Sequence, residues 1–82
     1  MARPPDLEAL RRFVWVRLPR AVVLERDRWD PASGTVELVL SGPGGTRAVS
    51  LDLRRWQTGD RAGIEADVLS AARAVAAPGP AP

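Results

Sequence analysis

The sequence predicts a small α+β domain: an antiparallel sheet of three to four strands packed against one long C-terminal helix, with room for a short N-terminal helix. Three observations carry this. Two runs of alternating apolar and polar residues, Thr35 to Leu40 and Val49 to Arg54, flank a turn rich in Gly. The stretch from Ile64 to Val75 repeats its apolar residues at helical spacing. The chain has 82 residues, enough for one domain and no more.

Each element has a local reason. Pro5 and Asp6 can open a helix, and Leu7, Leu10 and Val14 would lie on one side of it. From Phe13 to Leu18, however, Phe, Val, Trp and Val favour a strand, so residues 6–18 read both ways until Pro19 ends the element. Ala21 to Arg28 starts apolar and finishes charged, which suits a strand leaving the core, with a turn over Trp29 to Gly34. In the next strand Val36, Leu38 and Leu40 alternate with Thr35, Glu37 and Val39; Ser41 to Thr46 turns the chain, and Val49, Leu51 and Leu53 continue the apolar face. Asp60 is placed to cap a helix whose stripe is Ile64, Val68, Ala71 and Val75. Residues 1–77 read as one domain, and the tail Pro78-Gly79-Pro80-Ala81-Pro82 is expected to fray.

Composition excludes much chemistry. The chain lacks His, Cys, Tyr and Lys, so an imidazole base, a thiol nucleophile, a disulfide and a thiolate zinc site are all ruled out. We expect no catalytic residues, no metal, no cofactor and no small-molecule substrate. All 12 basic residues are Arg against 10 acids, a net charge of +2, which is too small for a strong sequence-independent hold on a polyanion. No long apolar run follows the N-terminal charge, and the expectation is a cytoplasmic protein with no membrane partner.

Several residues invite a functional reading. The Gly-rich loop Ser41 to Thr46 joins two strands and precedes no helix, so a hairpin turn fits it better than a phosphate cradle. Glu25, Asp27 and Asp30 are interleaved with Arg26 and Arg28, which suits a salt-bridged strand end better than a cation site. Arg54, Arg55 and Arg61, beside Trp56, form the one cluster suited to nucleic acid: arginine grips phosphate in a bidentate way and an indole stacks on bases. The sheet face away from the long helix is expected to carry Phe13, Trp15, Val23 and Val39. That face needs a cover, either the N-terminal helix or a second copy of the chain, and in so short a chain self-association is the favoured one.

Gly34-x-Val36-x-Leu38-x-Leu40-x-Gly42, then Val49-x-Leu51-Asp52, then Asp67-Val68-Leu69-x-Ala71-Ala72, resembles the strand, turn, strand and C-terminal helix of the YbaB/EbfC nucleoid-associated family over residues 34–76. The resemblance implies a small homodimer that binds DNA with little sequence preference and has no enzymatic activity. The function expected is therefore a non-catalytic dimeric binding module of DNA-associated type. The alternative is a protein–protein adaptor or scaffold subunit with no nucleic-acid role.

Overall fold

The computed structural model describes residues 7–77. The N-terminal residues Pro5 and Asp6 and the tail 78–82 lie outside them. In chain order the elements are α1 (Glu8–Trp15), β1 (Val23–Asp30), β2 (Thr35–Gly42), β3 (Gly45–Asp52), α2 (Leu53–Gln57) and α3 (Arg61–Ala76). The strands form one antiparallel meander in the order β1-β2-β3. The α+β prediction holds, with three strands and both a short N-terminal and a long C-terminal helix.

The doubtful segment resolves as helix. Leu10 and Val14 are buried one turn apart in α1, with Leu7 and Phe13 packed beside them on the core. Burying that stripe outweighs the modest strand preference of Val14, Trp15 and Val16. Phe13 to Leu18 is thus not a strand: α1 ends at Trp15, and two tight turns follow before Pro19.

Strand β1 also runs differently from the sequence reading. It continues through Trp29 and Asp30, so the turn is only Pro31 to Gly34. The register slips between Leu24 and Arg26, a bulge at Glu25 that resets the alternation. Leu24, Asp27 and Trp29 consequently pair with Leu40, Leu38 and Val36, on the helix side of the sheet. Asp27 stands on that apolar side because Arg11 of α1 meets its carboxylate at 2.8 Å.

The stripe of α3 is buried as expected: Ile64, Val68, Ala71 and Val75, joined by Ala72. Asp60 caps the helix by accepting from the Gly63 N–H at 3.0 Å. Ile64 and Val68 share one core with Val36, Leu38, Leu40 and Leu51 of the sheet and Leu10 and Val14 of α1. Helices α1 and α3 therefore lie on the same side of the sheet. Fully burying one such aliphatic side chain stabilises by about 1.5–3 kcal/mol, so this single layer holds the fold.

The Gly-rich loop is a hairpin turn with a packing role. Its Gly44 N–H donates to the Val75 carbonyl oxygen at 2.7 Å, satisfying an end group of α3. A Cβ on Gly42 would stand 2.5 Å from that same oxygen, so the turn approaches the helix end closely only because side chains are missing.

Candidate binding surfaces

Four residues were expected together on the sheet face opposite the helices. The structure separates them. Phe13 and Trp15 are on helix α1, and Phe13 turns toward the core. Only Val23 and Val39 are on the open face, which otherwise carries Arg26, Arg28, Asp30, Thr35, Glu37, Ser41, Thr46, Ala48, Ser50 and Asp52 by cross-strand register. Val39 lies between Arg26 and Ala48 and is only 7% exposed. Thus the open face is polar, as one side of an antiparallel sheet commonly is when it meets water. The alternation of β2 sets Val39 on this face as expected, while Phe13 and Trp15 are absent from it because the strand over residues 13–18 does not form.

Exposed apolar surface gathers elsewhere. Trp15 is 66% exposed and Val16 69%, side by side at the end of α1. Trp15 also lines a groove of about 360 Å³ between α1 and β1, together with Glu8, Arg11, Arg12 and Leu24. Val23, 53% exposed, adjoins Leu24 in the chain. Sequence reasoning found Trp15 and Val23 but missed Val16, Leu24 and the groove. The available signal was the spacing Glu8, Arg11, Arg12, Trp15, which traces one side of a helix once α1 is taken as helical.

Arg54, Arg55 and Arg61 do come together, at the corner where α2 meets α3. Yet carboxylates occupy two of them. Arg55 donates to Asp60 at 3.0 Å and to Asp67 at 2.7 Å, and Arg54 lies 3.6 Å from Asp52. Those hydrogen bonds raise the Arg55 pKa, that to Asp67 foremost and then that to Asp60. Asp60 is lowered in turn, first by Arg55 and then by the Gly63 N–H it caps. Arg61 stacks on Trp56, its guanidinium carbon 3.4 Å from the ring centroid, and donates to the Trp56 carbonyl oxygen at 2.6 Å.

The corner thus holds three arginines and three aspartates and is charge-balanced, although only Arg54 and Arg55 reach the carboxylates and Arg61 is held by Trp56. Trp56 meets Phe13 edge-on, with centroids 5.4 Å apart, and Arg17 lies over Phe13 at 3.7 Å while reaching Glu65 at 3.2 Å. This ladder pins α1 to α2 and α3, a packing role for Trp56 that leaves less of its face for a base.

The carboxylates of β1 are likewise dispersed. Asp27 pairs with Arg11, and Asp30 closes its own turn by accepting from Ala32 N–H and Ser33 Oγ. The Ser33 bond is the main cause of the lowered Asp30 pKa, followed by that from Ala32.

Among the described residues, no helix is long and apolar enough to cross a membrane. No family model matches the chain, and no curated protein or solved structure is found similar to it.

Proposed function

We propose that this domain is a non-catalytic binding module of adaptor type, which docks to another protein through the groove between α1 and β1. The observation that carries the reading is Trp15: a large, rigid, amphipathic side chain left 66% exposed on the rim of an otherwise well-packed small domain. Trp anchors are among the residues that contribute most at protein interfaces. Arg11 and Arg12 border the same groove and supply a polar rim, the usual surround of an apolar anchor.

The test is affinity capture with the full chain, its Trp15→Arg variant and an Arg54→Ala, Arg61→Ala double variant. A partner retained by the double variant and lost with Trp15→Arg supports the reading. Partners lost only with the double variant would sink it.

A second reading is a DNA-associated dimer of nucleoid-protein type. It rests on the resemblance over residues 34–76 and on Arg20, Arg26, Arg47 and Arg73, which form no ion pair among the described residues. It requires duplex binding that weakens steeply with salt. The neutral corner at Arg54, Arg55 and Arg61 makes it the weaker of the two.

A further inference from the structure

We draw no further inference here: the strongest candidate, the groove between α1 and β1 beside Trp15, belongs to the docking surface already described, and because its Arg11 and Arg12 already meet Asp27 at 2.8 Å and Glu8 at 3.7 Å, nothing in the structure shows what chemistry of partner covers it.

Discussion

Gly42→Ala distinguishes a glycine needed for packing from one that keeps a loop open for a ligand. The added Cβ would stand 2.5 Å from the Val75 carbonyl oxygen, 3.1 Å from the Val75 carbonyl carbon and 3.3 Å from the Ala21 oxygen. All three are backbone atoms, and comfortable contact begins near about 3.5 Å, so the turn or the end of α3 must move by about 1 Å. Overpacking of this kind costs about 1–3 kcal/mol. The move also stretches the Gly44 N–H bond to Val75, worth about 0.5–1.5 kcal/mol.

Together the loss is about 2–4 kcal/mol, a large part of the roughly 4–12 kcal/mol that a domain of this size possesses. At about 4–8 °C per kcal/mol, the melting temperature should fall by about 8–30 °C. Thermal and urea unfolding followed by far-UV circular dichroism, at one fixed protein concentration, measure it. Gly34→Ala is the reference, since its Cβ meets nothing within 4 Å and only the positive φ of 71° opposes it; that costs about 1–2 kcal/mol. If Gly42→Ala costs less than about 1 kcal/mol, the close approach of turn and helix end is not what requires glycine there.

Other perturbations follow from the same structure. Leu38→Ala empties a site on the central strand that is 1% exposed and should cost about 2–5 kcal/mol by urea unfolding; a cost under 1 kcal/mol would mean that β2 is not the centre of the core. Trp15→Arg should change stability by less than about 0.5 kcal/mol, because its side chain is already in water, while abolishing partner capture. Asp60 and Asp30 both have lowered folded pKa values, so the unfolded chain binds more protons in acid. Their stabilisation is complete above the ordinary carboxylate range and is lost as pH falls through it toward the folded values. The melting temperature should therefore hold level from neutral pH to about 5 and drop below about 4, with a shallower drop in Asp60→Asn. A drop of unchanged depth in that variant would show that Asp60 is not among the groups responsible.

Much of the fold was legible because two periods are strong. Val36, Leu38 and Leu40 step by two beside a Gly-rich turn, and Ile64, Val68, Ala71 and Val75 step by a helical turn after a capping Asp60, so the hairpin and α3 form as the sequence predicts, except that β3 ends at Asp52, whose side chain caps α2, and Leu53 and Arg54 belong to that helix. The failures have equally local causes. In residues 6–18 a helical stripe, Leu7, Leu10 and Val14, overlaps a β-favouring run, and only the burial of that stripe against the sheet decides between them. The bulge at Glu25 breaks the two-residue rhythm of β1, hiding that Trp29 belongs to the strand and faces the core.

The candidate surface was less legible than the fold. The arginines at 54, 55 and 61 are conspicuous in sequence, whereas their partner Asp67 lies 12 residues from Arg55 and reaches it only through the α2–α3 turn. A basic cluster in one dimension is a neutral corner in three. Conversely Leu24 and Trp15 are nine positions apart and share a groove only because α1 folds back along β1.

The account stands most directly on one titration: sedimentation of the full chain at low salt, with and without a short DNA duplex. It predicts that the duplex leaves the protein boundary unmoved, since the arginine corner presents no net charge to phosphate. Co-sedimentation that fades as salt is added, and that Arg54→Ala with Arg61→Ala abolishes, would contradict it.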